Sequence, residues 1–155
     1  MSEANNNTPE TERWFPNSMP APMVDHHTLP FWEACSEHRL TVQRCKNCGH
    51  AQHPPSPICS NCRSNEFEQV EVSGKGTLYT YTAVHQPITY EETLPFFIAV
   101  VELDMTGSDC INTVRIMTNI VGAQDGELEI GQAVELVWEK FSETVSIPRF
   151  RLAGR

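Results

Sequence analysis

The stretch CKNCGHAQHPPSPICSNC, residues 45–62, places Cys45, Cys48, Cys59 and Cys62 in the spacing C-x2-C-x10-C-x2-C. A two-residue gap turns both sulfurs of a pair toward one ion, and the tight turn after each first cysteine aims backbone N–H groups at the thiolates. Gly49 follows the first pair, where such a knuckle calls for a residue tolerant of a left-handed backbone. Two knuckles supply four ligands in a tetrahedron, with zinc ahead of iron because ten residues is a short span between them. Four thiolates leave no open coordination position, so the expected metal is structural rather than catalytic. His50 and His53 read as surface residues, and HPPSP as a stiff extended connection between the knuckles. The segment has too few apolar residues to fold without its metal.

Cys35 and Cys110 lie outside the pairs among apolar neighbours and read as buried free thiols. Disulfides are not expected, because the N-terminus MSEANNNTPETERWF has neither a basic start nor an apolar stretch of signal-peptide length. The sequence also lacks an apolar run of membrane-spanning length, and the chain reads as a soluble cytoplasmic protein.

Around the cysteines the organisation is legible in three parts. Residues 1–27 are polar, rich in Asn and Pro and without periodicity, and read as an extended arm carrying Trp14, Phe15, Met19 and Met23. Those apolar side chains suit either a loosely docked tail or an arm lying on a partner subunit. Residues 28–72 hold a short amphipathic helix, opened by Thr28 and Pro30 and written FWEACSEHRL, followed by the ribbon. Residues 73–155 carry five β-branched and aromatic runs, at 76–86, 95–104, 110–118, 132–141 and 145–153, bounded by Gly-rich turns. In the fourth, Val134, Leu136 and Trp138 alternate with Glu135, Val137 and Glu139, which predicts a sheet with one wetter face. The apolar FFIAVV run reads as central or covered. The expected architecture is therefore mainly β: an N-terminal helix plus a rubredoxin-like zinc ribbon, followed by a five-stranded OB-fold barrel.

Charge narrows the function. The net charge is −9, distributed as −3 over residues 1–30, +2 over 31–65 and −8 over 66–155. OB-folds and zinc ribbons both serve as nucleic-acid modules, and Tyr79 and Tyr81 could stack on bases. A single-stranded nucleic-acid-binding protein is therefore the alternative function. Against it, affinity for nucleic acid comes largely from neutralising phosphates, and the barrel region is acidic. An iron-loaded electron carrier is a further alternative. A hydrolase would need a nucleophile beside a base, yet there is no G-x-S-x-G and no H-E-x-x-H. His85, Glu91 and Glu92 read as solvated loop groups. Catalysis by the isolated chain is not expected.

The string LPFWEACSEHRLTVQRCKNCGHAQHPPSPICSNC, followed by SGKGTLYTYT and later by VVELD and IGQAVEL strands, resembles the family of zinc-ribbon OB-fold proteins associated with acyl-CoA metabolism, formerly a domain of unknown function. The resemblance covers residues 28–153. It implies an accessory subunit of a thiolase-superfamily enzyme, such as an acetoacetyl-CoA thiolase or a lipid-transfer-protein-like aldolase, acting in thiolytic or aldol-type cleavage. By the same analogy the assembly is a heterotetramer of two small and two large chains, and the small one helps to hold a CoA thioester. CoA carries a 3′-phosphate, a pyrophosphate and a narrow pantetheine arm, so its site needs a few local cations and an apolar slot. Lys46 and Arg63 beside the knuckles, with Phe31 and Trp32 on the adjoining helix, are the candidate CoA-binding surface. The other reading of these four is solvated cations and aromatics that pack ribbon onto barrel. Arg149 and Arg151 form a second candidate pair.

Overall fold

The computed structural model describes residues 10–11, 14, 19–86 and 94–155. Glu91 and Glu92 lie outside the described residues, as does Phe15. Helix α1 spans Leu29–Ser36, with Pro30 in its first turn and Phe31, Ala34 and Cys35 buried on one face. Thr28 occupies the N-cap position, but its side chain makes no cap hydrogen bond. The Asp25 carboxylate instead accepts from the backbone N–H groups of His27 and Thr28, at 2.8 and 2.9 Å. These two donors, Thr28 first, hold the Asp25 carboxyl below its usual value. The helix ends at Ser36, and His38, with φ of 57°, turns the chain toward the ribbon.

The ribbon is a three-stranded antiparallel sheet of β2 (Thr41–Cys45), β3 (Ala51–Gln52) and β4 (Phe67–Glu71), in the order β3-β2-β4. Five strands follow: β5 (Lys75–Val84), β6 (Phe96–Leu103), β7 (Arg115–Ile120), β8 (Ala133–Lys140) and β9 (Ser146–Leu152). They run β8-β5-β6-β7-β9, and an antiparallel β8–β9 pairing from Val134↔Leu152 to Lys140↔Ser146 closes the circle. Closure removes the open edges that a five-stranded sheet would expose. The parallel contact of β7 with β9, at Ile120↔Phe150, is the join.

Ribbon and barrel share one core. Phe31, Cys35, Leu40, Val42 and Ala51 belong to the same buried cluster as Leu78, Val101, Ile116, Trp138 and Phe150. Truncating a large member of such a cluster to Ala costs about 2–5 kcal/mol, so each part supports the other. Cys35 is fully buried there, and burial pushes its thiol up to about 12.

The Gly-Lys-Gly turn that opens the barrel has a steric cause. Gly74 has φ +73°, and a Cβ there would lie 2.8 Å from Cβ of Leu136. A Cβ on Gly76 would lie 2.6 Å from Val101 Cγ1 and 2.7 Å from the Glu102 carbonyl oxygen. Here β5 enters between β8 and β6, with Gly76 paired to Val134 on one side and Leu103 on the other.

Two expectations need correction. The strand expected at 110–118 begins only at Arg115, because Ile111 and Asn112 bond to the ribbon, and the chain rejoins the barrel at Val114, whose carbonyl accepts from the Leu103 N–H. The supposedly wetter face of β8 is covered: Val137 and Glu139 are both 0% exposed. Strand β1 (Glu10–Thr11) pairs in parallel with Trp138 and Glu139, and the Trp14 backbone N–H donates to Glu139 Oε1 at 2.9 Å. Arg149 Nε donates to the other carboxylate oxygen at 2.7 Å. Glu10, Thr11 and Trp14 of the arm therefore lie on the chain's own barrel. FFIAVV, as β6, is central, pairing with both β5 and β7.

Candidate metal centre and its rim

Cys45 ends β2, Cys48 closes the first knuckle, and Cys59 and Cys62 form the second. The Gly49 N–H donates to the Cys45 carbonyl, and the Arg63 N–H to that of Cys59, each at 2.9 Å. Both residues have positive φ, 76° for Gly49 and 65° for Arg63, so the knuckles are built alike. The turns bring the four sulfurs within 4.8 Å of one another, with Cys45–Cys62 at 3.6 Å and Cys48–Cys59 at 3.7 Å. Four thiolates bound tetrahedrally to zinc at the usual bond length stand about 3.8 Å apart. The residues fit a structural zinc, and all four corners of the tetrahedron are taken by protein.

A pair of asparagines crosses this centre. Asn47 Nδ2 donates to Cys62 Sγ and Asn61 Nδ2 to Cys48 Sγ, both at 3.5 Å. Each occupies the third position of one knuckle and serves the last cysteine of the other. Sequence reasoning overlooked them, although the repeated C-x-N-C pattern was a readable signal. Asn47, the largest influence, with the Ser64 N–H, lowers the Cys62 thiol to about 6. Asn61, with the His50 N–H, lowers Cys48 as well. Burial acts in the opposite sense on Cys45, whose thiol is raised. Hydrogen bonds to the sulfurs favour the deprotonated form that a metal requires.

His50 is bonded to Ser60, with Nε2 3.2 Å from Oγ. His53 is not the surface residue expected. Its ring lies 5.0 Å from that of Phe31, and burial pushes its pKa down to about 4. Phe31 is 5% exposed and stands edge-on to Trp32, with ring centroids 5.1 Å apart. Trp32 is half-buried, while Lys46 and Arg63 are exposed. Of the two arginines considered as a second cation pair, Arg149 is bound to Glu139 and to Asn119 Oδ1, and Arg151 to Glu135. Tyr81 donates its hydroxyl to the Leu128 carbonyl at 2.6 Å, and Tyr79 lies under Arg115, with Cζ 3.6 Å from the ring centroid.

This arrangement of ribbon, closed four-sulfur site and barrel matches two consecutive family models. One, described as the rubredoxin-like zinc ribbon domain of ChsH2, covers residues 32–68; the other, its C-terminal OB-fold domain, covers residues 69–139. The chain belongs to this family.

Among ChsH2-family relatives, a protein of Methanocaldococcus jannaschii named a DUF35 domain-containing scaffold protein is 39% identical over 102 residues, 64% of this chain and 67% of that protein. A probable enoyl-CoA hydratase alpha subunit of Thermomonospora curvata is 33% identical over 146 residues, 94% of this chain. The match spans only 44% of the length of that hydratase subunit. A solved structure titled Ltp2-ChsH2(DUF35) aldolase superposes with a TM-score of 0.76 at 33% identity, covering 86% of this chain and 99% of that one. No helix among the described residues is long and apolar enough to cross a membrane.

Proposed function

We propose that this ChsH2-family chain is a non-catalytic, zinc-stapled accessory subunit of a thiolase-superfamily complex that cleaves C–C bonds in acyl-CoA thioesters. The observation that carries the reading is the likeness, at 33% identity over 99% of its chain, to a ChsH2 domain solved as part of an aldolase. The closed metal site supports it, because a zinc held by four thiolates has no position for substrate or water. In this reading the large subunit supplies the reacting groups and the small one stabilises it, in a heterotetramer of two small and two large chains.

The ribbon rim is our candidate for the CoA contact. Lys46 and Arg63 would meet phosphates, and the half-buried ring of Trp32 would line the pantetheine arm. Phe31 contributes from within the core, by fixing Trp32 edge-on. A second reading follows from the name of the Thermomonospora relative: the partner would carry out hydration of an enoyl-CoA rather than C–C cleavage. Single-stranded nucleic acid fits less well, since the region from residue 66 carries −8.

Co-purification of the chain from its native source is the test. Recovery with a thiolase-like polypeptide is the expected result, with aldol or thiolytic cleavage appearing only in the mixture. Recovery with a hydratase-like chain would select the second reading. A lone monomer with no effect on either activity would overturn both.

A further inference from the structure

We propose that the apolar socket between Trp14 and the outer wall of the barrel binds a compact aromatic ring bearing a neutral oxygen acceptor, the chemistry of an aryl amide or ester. The socket shares no residue with the ribbon rim and does not depend on the function proposed above.

The socket exists because the outer wall of the barrel is apolar where an outer wall is normally polar. Val137 points away from the barrel interior, opposite to Val134, Leu136 and Trp138 in the strand alternation, yet it is fully buried. Val121 continues the apolar surface, Ala123 and Leu152, which also pack against the barrel core, line its margin, and Trp14 forms the facing side. The socket is open to solvent on one side and has a volume of about 210 Å³. A cavity of roughly 150 Å³ lined by aliphatic side chains holds benzene, whereas sites for drug-sized ligands run from about 300 Å³ upward. One ring with a small substituent fits; a nucleotide does not.

Trp14 is fixed as a wall. Its backbone N–H is bonded to the buried Glu139, and its Cη2 stands 3.8 Å from where a Cβ on Gly122 would be. Trp14 is itself 44% exposed, so this wall lies at the protein surface, where a ligand can reach it.

Two guanidinium groups at the socket set the polar requirement. Arg151 gives Nε and Nη2 to Glu135 Oε1, at 2.8 and 2.7 Å. Arg155 gives Nη1 and Nη2 to the two oxygens of Glu127, at 3.0 and 2.9 Å. Each carboxylate cancels the charge but engages two nitrogens of a group that carries five N–H donors. An anion entering here gains little attraction from two neutralised pairs, while a neutral carbonyl oxygen accepts a remaining N–H without displacing either glutamate.

The test is a titration of the full zinc-loaded chain with benzamide, followed by methyl and indole NMR shifts. Saturable shifts confined to Val121, Ala123, Val137, Leu152 and Trp14 are expected, with Kd of roughly 0.1–3 mM for so small a ligand. Benzoate should bind at least about threefold more weakly. Trp14→Ala removes the wall and Ala123→Phe fills the socket; each should weaken benzamide by about tenfold or more while leaving the remaining barrel methyls in place. Absence of shifts at about 20 mM benzamide would overturn the proposal, given the affinity expected of a ring this size. So would benzamide binding that survives both variants, tighter binding of benzoate than of benzamide, or socket shifts that a protein partner produces and benzamide never does.

Discussion

The side-chain amide of Asn112 pairs with the backbone of Ala51 in both directions: Nδ2 donates to the Ala51 carbonyl at 2.9 Å and Oδ1 accepts its N–H at 2.8 Å. The side chain acts as one more strand residue for β3, whose other neighbour is β2. Next to it the Ile111 N–H donates to the Gly49 carbonyl at 3.2 Å, so the loop before β7 is laced to the first zinc knuckle.

Asn112→Ala leaves two buried backbone groups of Ala51 without their partners. Each unsatisfied group costs about 1–3 kcal/mol, so a loss of about 2–6 kcal/mol is expected. Asn112→Asp keeps the acceptor and removes the donor, and should lose less. Urea unfolding of the zinc-loaded protein measures both. A loss below about 0.5 kcal/mol for the alanine variant would mean that the clamp is replaced by water.

The crossed asparagines make a separate prediction about metal. Asn47→Ala removes the donor that most favours the Cys62 thiolate. Zinc should then be held about tenfold more loosely, the usual consequence of losing a group that supports a metal ligand. Competition with a chromophoric chelator reads this directly. Because the thiol's pKa moves up, the pH at which the protein gives up half its zinc should also rise. Full chelation of the parent protein should unfold the ribbon and disturb Leu40, Val42 and Ala51, which share the barrel's core.

Gly76 and Gly107 offer a matched comparison. A Cβ on Gly76 collides with Val101 and with the Glu102 backbone, and backbone cannot step aside. At Gly107 nothing lies within 4 Å, and only the φ of +81° opposes a side chain. Gly107→Ala should cost about 1 kcal/mol, the ordinary penalty for that conformation. Gly76→Ala should cost at least about 2 kcal/mol, through overpacking at the entry to β5. Equal melting temperatures for the two variants would refute the steric account of the Gly-Lys-Gly turn.

What was legible in the sequence is what depends on neighbours along the chain. The knuckles are fixed by two-residue gaps, and the five barrel runs by β-branched composition and turn residues, so both were readable from short windows. Long-range contacts were not. The pattern of β8 alternates as a half-wet strand should, and nothing near Glu139 in sequence announces that Arg149 and the arm will bury it. Residues 110–114 have strand composition, but Ile111 and Asn112 are held by Gly49 and Ala51, some sixty positions away. His53 reads as a polar loop residue until α1 brings Phe31 against it.

His53 also gives the protein a defined acid sensitivity. Burial of the ring lowers its pKa in the folded state to about 4, against 6.5 when unfolded. Above pH 6.5 the ring is neutral in both states, so the group leaves stability unchanged. Between pH 6.5 and about 4 the unfolded chain takes up a proton that the folded one refuses, and stability falls with falling pH. Below about 4 both states are protonated and the loss is complete. The expected total is about 1–3 kcal/mol, at no more than about 1.4 kcal/mol per pH unit. Acid release of zinc contributes in the same range, so the decisive quantity is a difference. His53→Leu keeps an apolar group against Phe31 and abolishes the titration. Urea unfolding of both proteins at pH 7.5 and 5, at equal zinc, should show the variant losing less stability on acidification. Parallel losses would mean that the His53 ring is protonated as readily in the folded protein as in the unfolded one.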